Sequence, residues 1–206
     1  MKKLIILPIA ALACAFTVIQ SQKTITPIKI GTAMPMGDVK MVNAMNDKEI
    51  SLNDSKKENG LLVIFSCNTC PFVIANQDRI LDIQHQAETL KIGVVIINSN
   101  ESKRESDDSK EAMRSYGNDQ KFVSPYLIDK NSVMADAFGA TRTPETYLFD
   151  KNGKLAYQGA IDDSPKDAGA VTQKYLLDAM TAMSQGKDIQ TKTTVSSGCS
   201  IKRINK

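Results

Sequence analysis

Two uninterrupted apolar runs stand out along the chain: LLVIF at 61–65 and VVII inside KIGVVIINSN at 91–100. A run that is apolar at every position suits a strand buried on both faces of a sheet. Between them Ile80, Ile83, Ala87 and Leu90 recur at steps of three, four and three, which is one face of a helix. Pro71 ahead of them fits a first helical turn, where its missing N–H costs nothing. Strand, helix and strand of these lengths predict a βαβ unit with parallel strands.

The flanking patterns are weaker. Short runs at 39–42 and 49–52, joined by NDK, predict edge strands or a hairpin. Residues 101–121 are densely charged and read as a solvated helix with loops. SPYLID (124–129) predicts a short strand, and SVMADAFGA (132–140) a short helix with Ser132 as N-cap and Gly139 near its end. TPETYLFD and LAYQGAI flank Asn152-Gly153, a turn that supplies positive φ, and predict a hairpin. Residues 167–186 predict a closing amphipathic helix ended by Gly186, and the tail after Lys187 reads as loose until something holds Cys199. The sum is an α/β fold: a central mixed β-sheet flanked by helices, with an N-terminal β-hairpin extension.

The first residues change the setting. Lys2 and Lys3 precede an apolar run at 4–19, then QSQKT, the layout of a secretory signal peptide. A run of about 16 residues falls short of the ~20 that span a bilayer. Residues 1–22 are therefore read as a signal, 23–188 as the domain and 189–206 as a tail carrying Cys199, in a chain exported to the periplasm or cell envelope. Cys14, in ALAC, resembles a lipoprotein site, but apolar residues continue past it, which disfavours cutting there. Losing Lys2 and Lys3 takes the formal charge from +3 to +1, which makes no case for nucleic acid or an anionic membrane. With no Trp and 5% aromatic residues, the core is expected to be mostly Ile, Leu, Val and Met.

Export leaves Cys67, Cys70 and Cys199, too few for a disulfide scaffold. In FSCNTCPF, Cys67 falls where the strand ends and Cys70 where the helix begins. Unpaired N–H groups and the dipole at a helix start favour a thiolate over a thiol. Two residues between the thiols let the second reach the first. The redox reading makes Cys67, the more exposed, the attacker on a disulfide and Cys70 the resolver. A metal site needs three or four ligands, and the pair supplies two. His85 would lie ~20 Å along the helix, but Cys199 could approach, so a copper-type module stays open. A structural staple over so short a loop restricts the unfolded chain little.

FSCNTCPF after a buried strand, VVIINSN, TRTPETYLFD, GKLAYQGAIDD and the late GCSIK together resemble the thioredoxin-like superfamily, in its redoxin or peroxiredoxin-like branch, over about residues 29–186. The resemblance implies a thioredoxin-like fold, with Pro144 as a cis proline beside the cysteines. It also implies that the backbone of Thr143 pairs with an incoming substrate segment as an added strand. Departures are clear. Ser66 stands where classical thioredoxins have Trp, Asn68-Thr69 replace Gly-Pro, and Leu61 takes the place of the buried acid. Glu58 has no evident reason to enter the core. Cys70-Pro71 resembles half of a peroxiredoxin motif, but Cys67 occupies the position of its hydroxyl. Arg79 and Arg142 could supply a guanidinium, though both read more simply as surface charges.

The expectation is an exported thiol–disulfide oxidoreductase acting on protein disulfides through Cys67 and Cys70. Thr143 and Pro144 would dock the substrate, and Cys199 would be a possible third redox thiol. A membrane-bound electron donor and a monomeric chain are expected, with no cofactor, metal or nucleic acid. A thiol-dependent peroxidase and a metal-binding module are the alternatives. Asn98, Asn100, Asp162 and Asp163 are expected to shape loops first.

Overall fold

A computed structural model describes residues 25–204. The proposed signal, its cleavage site and Cys14 lie outside the described residues. Among the described residues no helix is long and apolar enough to cross a membrane.

The chain opens with β1 (Met41–Val42) and β2 (Glu49–Ile50), an antiparallel pair. Leu52, expected at the end of the second run, instead starts helix α1 (Leu52–Ser55). Ser51 and Asp54 form a reciprocal capping box that begins a helix at that point. β3 (Leu61–Ser66) is buried at every residue. Helices α2 (Pro71–Ile74) and α3 (Gln77–Thr89) follow, then β4 (Gly93–Asn98), parallel to β3 as the βαβ reading predicts. The expected single helix is broken between α2 and α3. Buried Asn76 turns its amide onto the carbonyls of Phe72 and Pro165, both at 2.7 Å, and interrupts the ladder.

Helix α4 (Lys110–Asp119) and β5 (Tyr126–Ile128) come next. Helix α5 (Val133–Phe138) ends at Gly139, but Ser132 makes no cap bond to it. Asp129 caps it instead, accepting from the backbone N–H groups of Met134 and Ala135, while Ser132 donates its hydroxyl to the Ser99 carbonyl. β6 (Arg142–Thr143) precedes the hairpin of β7 (Glu145–Phe149) and β8 (Leu155–Gly159). Positive φ in its turn falls on Gly153 alone, not on Asn152. Helix α6 (Tyr175–Ser184) starts later than predicted. Asp163 accepts from Thr172 N, and Asp167 from Gly169 N, so these residues form a separate capped loop.

The main sheet runs β5-β4-β3-β7-β8, with β7 antiparallel to β3. Period-2 alternation divides β3 between two cores. Leu62 and Ile64 pack with α3, α4 and α6, whereas Leu61, Val63 and Phe65 pack with α1 and α5. The aliphatic core holds, with a correction: the largest fully buried side chains are Tyr126, Tyr147, Tyr157, Phe65, Phe138 and Phe149. Phe65, Phe138 and Tyr147 meet edge-on with centroids 5.2–5.7 Å apart, a geometry the ring quadrupoles favour.

The tail is not loose. Gln158 N–H donates to Lys192, and Thr194 N–H donates back to Gln158, along the edge of β8. The chain then forms β9 (Cys199–Ser200) against β6, and Ile201 enters the second core.

Candidate active site

β3 delivers Cys67 at its C-terminal end, and Cys70 is the residue immediately before α2. Asn68 between them fixes the loop. Its N–H donates to Asp108 Oδ1 at 3.0 Å, its amide donates to the Asp107 carbonyl, and its Oδ1 accepts from Tyr126 Oη. Asp108 also accepts from the amides of Asn98 and Asn100 at 2.7 and 2.9 Å. Asn98 and Asn100 thus shape loops, as expected. The sequence reading missed Asp108, which is 0% exposed inside a segment read as solvated. Its only trace in the sequence is the pair of asparagines in INSN, whose amides need a buried acceptor.

Thr143–Pro144 is a cis peptide, as the resemblance implies. Thr143 meets both cysteines. Cys70 Sγ lies 3.2 Å from its carbonyl oxygen, an acceptor for Cys70 whenever that thiol is protonated, and its hydroxyl lies 3.4 Å from Cys67 Sγ. Cys67 is not the more exposed thiol: the two cysteines are 2% and 3% exposed, so exposure does not separate them. Electrostatics does. Hydrogen bonding from Cys67 draws Cys70 down to about 4, helped by the N–H of Val73. The same bond, then desolvation, pushes Cys67 up, with the charge of Asp108 adding to the rise.

Cys199 is brought to the pair. It stands opposite Thr143 in the β6–β9 ladder and packs on the core cluster that contains Cys67 and Cys70, close enough to help lower the Cys70 pKa. All three are free thiols. Among the described residues no group of three or more His, Cys, Asp or Glu is arranged to hold a metal. His85 is exposed on α3.

Arg79 is not a surface charge. It is part-buried, and its guanidinium donates to Asp162 at 2.6 Å and to the carbonyls of Ser164 and Ala75. Arg142 is exposed and reaches the Gly198 carbonyl at 3.3 Å. Asp162 anchors Arg79, and Asp163 holds Thr172. Glu58 pairs with Lys91 outside the core.

The comparisons agree with this architecture. The Redoxin family matches residues 29–174. An uncharacterized conserved protein from Geobacillus kaustophilus is 30% identical, with a TM-score of 0.80 over 86% of this chain and 94% of that one. A peroxidoxin, BcpB, from Mycobacterium tuberculosis shares the fold at 14% identity, with a TM-score of 0.56 over 76% and 96% of the two chains. A secreted disulfide oxidoreductase of Mycobacterium tuberculosis, homologous to E. coli DsbE, does so at 13% identity and a TM-score of 0.53, over 70% and 96%. Among curated proteins, none matches the chain.

Proposed function

The chain belongs to the Redoxin family, and on that premise we propose that it is a thiol–disulfide oxidoreductase whose couple is Cys67 and Cys70. One observation carries the reading. The two sulfurs converge on Thr143, the residue before the cis proline, at 3.4 and 3.2 Å.

The pair holds one proton between two sulfurs and titrates as a unit. At rest the charge lies on Cys70. The attacking Cys67 thiolate forms only as the proton passes to Cys70 against that preference, with the Thr143 hydroxyl beside Cys67 and the Thr143 carbonyl as acceptor for the protonated Cys70. Cys67 then attacks a substrate disulfide, forming a mixed disulfide and expelling one substrate thiolate, which takes the proton from Cys70. Cys70 attacks Cys67 Sγ and expels the second substrate thiolate. Two electrons pass to the substrate, and the chain retains a Cys67–Cys70 disulfide. Asp108 keeps the loop in place through Asn68 and remains a positioning residue.

The substrates are protein disulfides, and a membrane-bound donor returns the electrons. Export rests on residues 1–22, followed by the domain 23–188 and the tail 189–206. The test is insulin reduction driven by dithiothreitol. Wild type turns over, while Cys67→Ser folds and does not. Turnover by Cys67→Ser would remove Cys67 as the nucleophile.

A peroxidase reading has one observation of its own, the lowered pKa of Cys70 directly before Pro71. Against it, the guanidinium of Arg79 is already engaged by Asp162. Oxidation of the reduced chain by hydrogen peroxide no faster than that of an ordinary thiol favours the disulfide reading.

A further inference from the structure

The edge that a substrate strand would take is occupied by the chain's own tail. Thr143 pairs with Cys199 and Arg142 with Ser200, antiparallel. Ile201 N–H donates to the Thr141 carbonyl at 3.0 Å, and Lys202 N–H to Asn100 Oδ1 at 2.8 Å. Arg203 closes the segment on Asp136 and on the Ala140 carbonyl. The approach is close enough to require glycine at 198, where a Cβ would stand 2.1 Å from the Thr143 carbonyl oxygen. Cys70 Sγ lies 3.2 Å from that same oxygen, so the tail and the thiol pair meet at one residue. The thiol pair itself is buried, while Cys199 is only half-buried.

We propose that residues 198–200 are an internal stand-in for a substrate strand, and that Cys199 is a third exchanging thiol that converts the Cys67–Cys70 disulfide into a Cys70–Cys199 disulfide. The inference rests on the reading of Cys67 and Cys70 as the redox couple. The Cys199 thiolate attacks Cys70 Sγ. The Cys67–Cys70 bond breaks as the Cys70–Cys199 bond forms, and the electron pair leaves on Cys67, which takes up the proton given by Cys199. The exchange is an isomerisation and needs no outside oxidant.

Two consequences follow from the geometry. The disulfide moves from a fully buried pair to a half-buried strand that a reductant can reach. Cys67 is returned as a thiol. The timing also fits. In the reduced chain Cys199 is held protonated, first by burial and then by its hydrogen bond with Cys70 and the charge there. Once Cys70 is in a disulfide that charge is gone, and Cys199 ionises more readily.

The test treats the reduced full chain with one equivalent of oxidised glutathione, quenches with N-ethylmaleimide and maps the disulfides. A Cys70–Cys199 bridge is expected beside Cys67–Cys70 in wild type and as the main product in Cys67→Ser. If Cys67–Cys70 forms while Cys199 carries maleimide in both proteins, the third-thiol proposal fails and the redox couple stands. If no Cys67–Cys70 bridge forms and insulin is not reduced, the couple fails and the proposal with it. Gly198→Ala provides a second reading that leaves every cysteine in place. With the tail displaced, Cys67 and Cys70 should label roughly tenfold faster, because the open form is no longer a minor population, and the Cys70–Cys199 bridge should be lost. Unchanged labelling and an intact bridge would overturn the docked-strand account.

Discussion

At Cys67 and Cys70 each sulfur shifts the other's ionisation, Cys67 upward and Cys70 downward, and that sets the chemistry at the scale of single residues. Cys70 is depressed to about 4, so the pair carries one thiolate throughout the range above that value, where an ordinary thiol ionises only near ~8.5. The charged form therefore appears as pH rises through about 4, and is lost as pH falls below it. The rate of exchange with oxidised glutathione should then be nearly flat between about pH 5 and 8. A tenfold rise per unit over that range would show instead that no thiolate is preformed. Asp108 matters for a different reason. It is fully buried and accepts from three donors, so Asp108→Ala should cost on the order of 3 kcal/mol or more in urea unfolding, because those donors lose their partner. A loss under 1 kcal/mol would mean that water replaces it. The thiols, the cis Thr143–Pro144 and the shaping role of Asn98 and Asn100 were legible in the sequence. Asp108 was not, because a lone buried carboxylate in a charged stretch looks like its solvated neighbours.

Among the elements, those with an unambiguous apolar period were legible. β3 and β4, each apolar on both faces, lie side by side and parallel because the helical crossover between them returns the chain in the same direction, and the face of α3 follows its three-four-three spacing. Boundaries set by side-chain hydrogen bonds were not. Ser51 and Asp54 turn an apparent strand end into α1, Asn76 splits α2 from α3, and Asp129 caps α5 where Ser132 was expected. Each of these depends on which polar group wins a backbone donor or acceptor, a competition that pattern alone does not resolve. Asp129→Ala should consequently destabilise the fold by about 1–2 kcal/mol in thermal or urea unfolding, as loss of a cap does, whereas Ser132→Ala should not act through the helix terminus. Equal effects of the two substitutions, with N–H exchange at Met134 unaltered by Asp129→Ala, would contradict this assignment.

For the whole molecule, the tail is where sequence and structure part most. Its Thr, Ser and Lys composition has no apolar period, so it read as loose. In the structure it follows the edge of β8, crosses the active end of the sheet as β9 and anchors through Ile201 and Arg203. What holds it is backbone pairing and a few long-range bonds, none of which leaves a local signature. Cys199 thereby becomes part of the thiol site, and access to Cys67 and Cys70 becomes a property of the tail as well as of the domain. All of this depends on Cys67 and Cys70 forming a working couple. The most direct measurement is a single turnover: reduced full chain mixed with insulin, quenched with N-ethylmaleimide, with disulfides mapped and insulin thiols counted. The account predicts two insulin thiols for each chain oxidised, with Cys70 recovered in a disulfide to Cys67 or Cys199 and, in Cys70→Ser, Cys67 trapped as a mixed disulfide with insulin. Intact insulin, with Cys67 and Cys70 both carrying maleimide, would contradict it.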